Sequence, residues 1–206
     1  GSNFDLGANV NLSAGTINLD VAGAVTQSSG TLTAPNLFIK TGGSIGTSVN
    51  RIQTSVDSLA LDSGGDQFVT EANAVSVAAR TTNNGSIDIR TTNGSMTVGS
   101  TLINGFTGIT THGSGGVSLL ANANTDDGLL VSGSITALNG AIHLTGSTTK
   151  ASGYGLLISS GSLQSGTGMT LSGTSANGQG IGLNGAVITN GTPGGGSTGA
   201  ISPVSY

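Results

Sequence analysis

Cysteine and tryptophan are absent from this chain of 206 residues, aromatics make up 3% of it, charged residues 7%, and Pro occurs 3 times. Each shortage excludes something. Without Cys there is no disulfide framework. Five basic residues (Lys40, Arg51, Arg80, Arg90 and Lys150) lie scattered along a chain of net charge −4, so no clustered basic face for nucleic acid can be assembled. No run approaches the roughly 18 apolar residues that a membrane-spanning helix needs, which argues against membrane insertion. The N-terminus lacks the charged start and apolar core of a signal peptide, so an export signal is expected upstream of Gly1-Ser2.

Low charge and few aromatics also describe disordered chains, but those are poor in aliphatic residues as well. Here hydrophobic residues reach 35%, spread evenly in pairs and short alternations, so the chain has enough to bury. Triplets of the form apolar-x-apolar dominate. They include Val10-Asn11-Leu12, Ile17-Asn18-Leu19, Leu37-Phe38-Ile39, Leu59-Ala60-Leu61, Ile87-Asp88-Ile89, Val117-Ser118-Leu119, Ile142-His143-Leu144 and Met169-Thr170-Leu171. Period-two alternation predicts strands with one buried face. Helical spacing is sustained nowhere, and 37 Gly residues would break long helices.

The triplets recur. Leu144 follows Leu119 by 25 residues (144 − 119) and Leu171 follows Leu144 by 27 (171 − 144). Two further stations sit inside each period: Leu130-Val131, Leu157-Ile158 and Ile181-Gly182-Leu183 form one series, and Ile135, Leu163 and Val187-Ile188 the other. Earlier, Ile39 follows Leu19 by 20 residues (39 − 19) and Leu61 follows Ile39 by 22 (61 − 39). Three strand stations in a period of twenty-odd residues predict an all-β fold, a three-sided parallel β-helix of roughly eight coils, in which each station stacks on its counterpart one turn later. At about 4.8 Å per stacked strand the rod rises about 40 Å.

A single coil cannot bury its own apolar face, so stability must come from nearest-neighbour stacking. Inward positions should form aliphatic ladders, while Asn11, Asn18, Ser76, Asp88, Ser118, His143 and Thr170 should face outward. Corners need positive φ, which Gly meets freely; Asn84-Gly85, Asn93-Gly94, Asn104-Gly105, Asn139-Gly140, Asn184-Gly185 and Asn190-Gly191 are the corner candidates. The β-helix is expected over residues 1–191, with shorter coils in 1–62 and longer ones in 63–191; residues 192–206, beginning Thr192-Pro193-Gly194-Gly195-Gly196-Ser197, read as a Gly-rich loop, a linker or the start of a further coil. The apolar pattern shows no capping segment at either end, which predicts a piece of a longer rod.

Gly23-Ala24-Val25-Thr26-Gln27-Ser28-Ser29-Gly30-Thr31-Leu32-Thr33-Ala34, Gly43-Ser44-Ile45-Gly46-Thr47 and Gly133-Ser134-Ile135-Thr136-Ala137-Leu138-Asn139-Gly140-Ala141-Ile142-His143-Leu144 resemble the repeats of large filamentous-haemagglutinin-like exoproteins. The likeness covers most of the chain as texture and period. It implies a right-handed β-helix exported to the bacterial cell surface by two-partner secretion, with an outer-membrane secretion partner engaging a region outside this chain. Adhesion, aggregation or biofilm formation is the implied role. The Asn-Pro-Asn motif of that family's secretion domain is incomplete here, the nearest stretch being Ala34-Pro35-Asn36-Leu37, which places the chain in the repetitive shaft.

Chemistry is sparse. Glycoside hydrolysis needs two carboxylates facing one cleft; the best sets are Asp62 with Asp66 near Glu71, and Asp126 with Asp127. The first set reads as a solvated loop. Asn122-Ala123-Asn124-Thr125-Asp126-Asp127-Gly128 has alternating oxygen ligands but departs from calcium-loop spacing. His112 and His143, the two histidines, have no Cys or carboxylate nearby in sequence, as a zinc site would require. The G-x-G-x-x-G and G-x-S-x-G matches within 194–199 lack the strand-turn-helix context that gives those motifs meaning. No catalytic, metal-binding or cofactor-binding residue is assigned, no cofactor is implied, and the chain is not expected to be an enzyme. Sequons at Asn11, Asn84, Asn93 and Asn190 read as corner chemistry, with modification left open.

The leading functional expectation is a structural shaft. A carbohydrate- or receptor-binding module is the alternative, with host or matrix glycans or neighbouring rods as partners; Phe38 and Tyr154 are its candidate exposed aromatics. A polysaccharide-cleaving enzyme and an ice-binding face built on Thr81-Thr82, Thr91-Thr92, Thr110-Thr111 and Thr148-Thr149 rank below.

Overall fold

The computed structural model describes residues 1–99, 105–191 and the backbone of 203–205. Among the described residues there are 21 strands and no helix. The strands pair in parallel into one sheet of 19 and a pair of 2, and the molecule is a parallel β-helix. Parallel neighbours need a long crossover between them; here the other two faces of each coil supply it.

Chain order repeats as face I, face II, face III. Face I carries Phe4–Leu6, Val25–Gln27, Gln67–Glu71, Ile87–Thr91, Val117–Ala123, Ala141–Thr148 and Gly168–Ser175. Face II carries Val10–Asn11, Met96–Val98, Leu129–Val131, Tyr154–Ser159 and Gln179–Asn184, and face III carries Thr16–Val21, Val75–Thr81, Ile109–Thr111, Ser134–Ala137, Ser162–Ser165 and Val187–Asn190. Leu32–Thr41 and Val75–Thr81 run through a corner and serve faces II and III, while Ile52–Ser63 starts on face I, where Ile52–Thr54 pair with Val69–Glu71, and runs on through faces II and III. On face I, eight steps connect Phe4, Val25, Ile45, Gln67, Ile87, Val117, Ile142 and Met169, then Leu171 to Pro203. Pro203–Ser205 thus begins a further turn on face I; the rest of the 192–206 expectation lies outside the described residues.

The predicted stations stack in register. Leu119, Leu144 and Leu171 are direct partners, as are Leu130, Leu157 and Gly182, and Ile135, Leu163 and Ile188. Leu19, Ile39 and Leu61 also stack, but on face III, so they continue into Ile135 and not into Leu119. Steps are 20 residues from Val25 to Ile45 (45 − 25) and 20 from Gln67 to Ile87 (87 − 67), then 30 from Ile87 to Val117 (117 − 87). The extra length falls between Val98 and Ile109, in the link from face II to face III.

The interior is an aliphatic column. Ile52, Val69, Ile89, Leu119, Leu144 and Leu171 form one ladder with exposures of 0–2%. Each such side chain contributes roughly 1.5–3 kcal/mol by leaving water. Val10 and Leu12 depart from the inward expectation: both are exposed although Val10 pairs with buried Leu32, because they sit on the first described coil of face II and have a described neighbour on one side alone. Leu183, inward on the last described coil of face II, is exposed for the same reason, whereas Val187 is exposed because it continues the outward row of Ser134 and Ser162.

The Asn-Gly corners hold a second departure. Positive φ occurs at Gly105, Gly185 and Gly191. Gly85, Gly115 and Gly140 serve another purpose: a Cβ on Gly140 would land on the carbonyl oxygen of Gly115, and one on Gly115 on that of Gly85. Corner glycines stack so closely that the missing side chain is what permits the coil spacing.

Four of the strands on face III end on an inward hydroxyl that closes the corner. Ser63 Oγ donates to the Gly65 carbonyl (2.6 Å), Thr81 Oγ1 to Gly85 (2.9 Å), Thr111 Oγ1 to Gly115 (2.6 Å) and Ser165 Oγ to Gly168 (2.6 Å). Buried hydroxyls need partners, and the corner carbonyls need donors, so the two requirements cancel. Of each Thr-Thr pair, Thr81, Thr91, Thr111 and Thr148 are buried. The pairs therefore mark corners and form no flat exposed ladder.

Candidate functional site

Face III carries an outward column in which every rung can form hydrogen bonds. Asp20, Lys40, Asp62, Arg80, Thr110, Thr136, Gln164 and Thr189 are successive register partners. Its first half alternates in sign. Lys40 Nζ lies 3.6 Å from Asp20, both well exposed, and Arg80 lies 2.6 Å from Asp62. Asp62 keeps 9% of its side chain exposed and Arg80 50%, so the carboxylate is fixed while the guanidinium reaches solvent.

Beside this column run Asn18, Phe38, Ala60 and Ala78. Ala60 and Ala78 face outward, between inward Leu59, Leu61, Val77 and Ala79, yet are 1% and 0% exposed. Phe38, one rung below Ala60, pairs with Phe106, their ring centroids 6.4 Å apart at 60°. The Arg80 guanidinium lies 5.1 Å from the Phe106 ring centre, a cation-π distance. Phe106 arrives from the long link before Ile109, so one insertion builds both the aromatic pair and the wall of a cavity.

That cavity, about 490 Å³, is lined by Arg80, Thr82, Phe106, Thr107, Thr110 and His112 among others. A neighbouring hollow of about 300 Å³ is lined by Asp20, Lys40, Asp62 and Thr82 among others. Thr82 borders both, and the Arg80–Asp62 pair spans them. They form one groove along face III.

The other polar clusters are structural. Arg51, in the excursion between Ile45 and Ile52, makes a fork to Asp88: Nη1 donates to Oδ2 and Nη2 to Oδ1, each at 3.0 Å. It also donates to the Thr70 hydroxyl, at 3.0 Å, and to the Val69 carbonyl, at 2.9 Å, and lies 5.7 Å over Phe68. Arg90 reaches the same carboxylate at 2.9 Å. Burial raises the Asp88 pKa, but hydrogen bonds from Arg51 and Arg90 outweigh it and hold the group below its usual 3.8.

Glu71 corrects the expectation of a solvated loop. Gln67–Glu71 is a strand, and Glu71 ends it pointing inward at 0% exposure. Its Oε2 accepts from Thr54 Oγ1 at 2.6 Å, and Oε1 from the Val56 and Asn73 N–H groups at 3.1 and 3.2 Å. No cation is paired with it among the described residues. Desolvation dominates and raises its pKa above 4.5 despite those bonds. Asp62 faces outward on face III and Glu71 inward from face I, so the two carboxylates do not meet in one cleft. Asp66 is a corner residue whose Oδ1 accepts from the Ser86 N–H at 2.7 Å.

Asp126 and Asp127 occupy the turn between faces I and II, where Asp127 Oδ1 accepts from the Tyr154 N–H at 2.8 Å and the Asp126 carbonyl from Thr148 Oγ1 at 2.5 Å. Lys150 joins them around a hollow of about 220 Å³. His143 is exposed on face I, and His112 is exposed at the groove. Tyr154 is half-buried, its ring lying over Gly182. Of the sequon asparagines, Asn11, Asn84 and Asn93 are exposed at or near corners, while Asn190, at the end of its strand, is half-buried. The motif matches in 194–199 lie outside the described residues. Sequence reasoning found Phe38 but not Phe106, Arg80 or Asp62 as its neighbours. The one available signal was the coil that is too long, between Ile87 and Val117.

No family model, curated protein or solved structure matches the chain.

Proposed function

We propose that this chain is a structural shaft of a secreted bacterial cell-surface adhesin or extracellular filament of the filamentous-haemagglutinin-like type, supporting adhesion, aggregation or biofilm formation. The observation that carries the reading is the unbroken register of three aliphatic faces, from Phe4 to Pro203 on face I. Such a stack extends by adding like coils and gains stability from each neighbour. Polar outward rows keep the rod in solution, and hydroxyl-tied corners leave little mobile backbone for proteases. An outer-membrane partner would export the protein through a region outside this chain.

Immunogold labelling of intact cells producing the parent protein tests this, using antibody raised against the purified chain. Label on filaments or on the outer surface is expected. Label that appears only after permeabilisation would overturn the reading.

The groove on face III favours a second reading, a carbohydrate-binding β-helix module. The two are compatible, because the groove occupies one face and leaves the stack intact.

A further inference from the structure

We infer that the face III groove binds a neutral, linear polysaccharide laid parallel to the helix axis. Three observations converge. The groove is elongated: two adjoining hollows share Thr82 and follow the column of stacked strands. The column repeats every coil, about 4.8 Å, a step comparable to one pyranose ring in an extended chain. A glycan lying along it would therefore meet one rung per sugar.

The second observation is the order of donors and acceptors. Asp20 and Asp62 only accept, Lys40 and Arg80 only donate, and Thr110 does both. Sugar hydroxyls donate and accept at once, so adjacent hydroxyls on one ring can bridge an exposed acid–base pair such as Asp20 and Lys40. The two acids cancel the two bases, leaving the groove without net charge. An anionic polymer would gain nothing there from long-range attraction, and each of its carboxylates would meet an aspartate as often as a cation. Neutral sugar fits and acidic sugar does not.

The third is the aromatic wall. Phe106 lines the larger hollow, braced by Phe38 at 6.4 Å and by Arg80 at 5.1 Å. An aromatic ring held by two neighbours offers a preformed apolar surface to the C–H face of a pyranose, at little ordering cost on binding. Thr82, Thr110 and His112 supply polar contacts at the rim. Coils that lack the insertion before Ile109 have no such wall, which confines the site to the middle of the rod.

This inference deepens the carbohydrate-binding reading of the groove and does not rest on the shaft reading, since a rod with a bare face III would serve as a shaft equally well. Titration calorimetry of the whole chain with cellohexaose, mannohexaose, xylohexaose and hexagalacturonate tests it. At least one neutral hexaose is expected to bind, with an affinity nearly independent of salt. Phe106→Ala should weaken it by at least ~tenfold and Thr110→Ala by less. Tyr154→Ala, on face II, should leave it unchanged. Circular dichroism of each variant separates loss of fold from loss of site. Absence of binding by all three neutral hexaoses, preferential binding of hexagalacturonate, or equal loss from Phe106→Ala and Tyr154→Ala would each overturn the inference. None of these outcomes bears on where the protein resides on the cell.

Discussion

Leu144 and His143 are adjacent in sequence but belong to opposite surfaces of face I. Leu144 is 0% exposed, with Leu119 one rung below and Leu171 one rung above. His143 stands on the outer surface between Ser118 and Thr170. Leu144→Ala removes part of a side chain packed on both sides by leucines whose positions are tied to the backbone ladder, so the space left behind cannot collapse fully. Substitutions of this kind cost about 2–5 kcal/mol, and the rigid stack places this one near 3 kcal/mol. His143→Ala leaves the interior untouched and should stay within about 0.5 kcal/mol. Urea unfolding followed by far-ultraviolet circular dichroism measures both. With a slope of about 2–3 kcal/mol per M, the midpoint should fall by about 1 M for Leu144→Ala and by a small fraction of that for His143→Ala. Equal shifts, or the larger one for His143→Ala, would refute the register and with it the β-helix.

Asp88→Ala should cost about 1.5–3 kcal/mol by stranding the Arg51 guanidinium, whose side chain is 10% exposed; an unfolding midpoint equal to wild type would contradict the fork's role. Because the Asp88 pKa is lowered from 3.8, its contribution is present above that value and lost as pH falls through the folded one, so Asp88→Asn should flatten the acid limb of a stability profile. Glu71 works with the opposite sign: its pKa is raised above 4.5, so its stabilising effect is complete below that value and declines as pH rises through the folded one. Glu71→Gln, with the Thr54 hydroxyl turned to accept from the new amide, should make the thermal midpoint less sensitive to pH on the neutral side; an unchanged pH profile would contradict the assignment. Gly115→Ala should destabilise by about 1–3 kcal/mol, because its Cβ would meet the Gly85 carbonyl. Gly168→Ala, with open space around its Cβ position, should be nearly silent in the same denaturation assay.

The stations of the later coils were legible because period-two alternation and a repeat of twenty-odd residues are local properties of the chain. Leu119, Leu144 and Leu171 could be aligned by counting, and the ladder pairs them as counted. Early coils were harder. Leu19, Ile39 and Leu61 were visible as a ladder, but not which face they occupied, because corner-turning strands such as Leu32–Thr41 merge two stations into one run. Thr-Thr pairs were visible as a pattern with its cause hidden: which hydroxyl turns inward depends on a carbonyl supplied by a corner several residues on. Glu71 was misplaced for a related reason. A carboxylate within a polar stretch looks solvated until the backbone N–H groups of Val56 and Asn73 are brought to it by the preceding coil and the following turn.

By itself the sequence determined the secondary structure, the coil period and the aliphatic interior, since each follows from short-range alternation and from a composition too poor in charge and aromatics for other folds. Only the tertiary structure decided which residues share a groove. Phe38 and Phe106 are separated by most of three coils, and Asp62 and Arg80 by one. The winding sets Asp62 and Arg80 one rung apart and lets Phe106 meet Phe38 across the intervening rungs, and the distance between neighbours then depends on the length of every intervening corner, which no local pattern encodes.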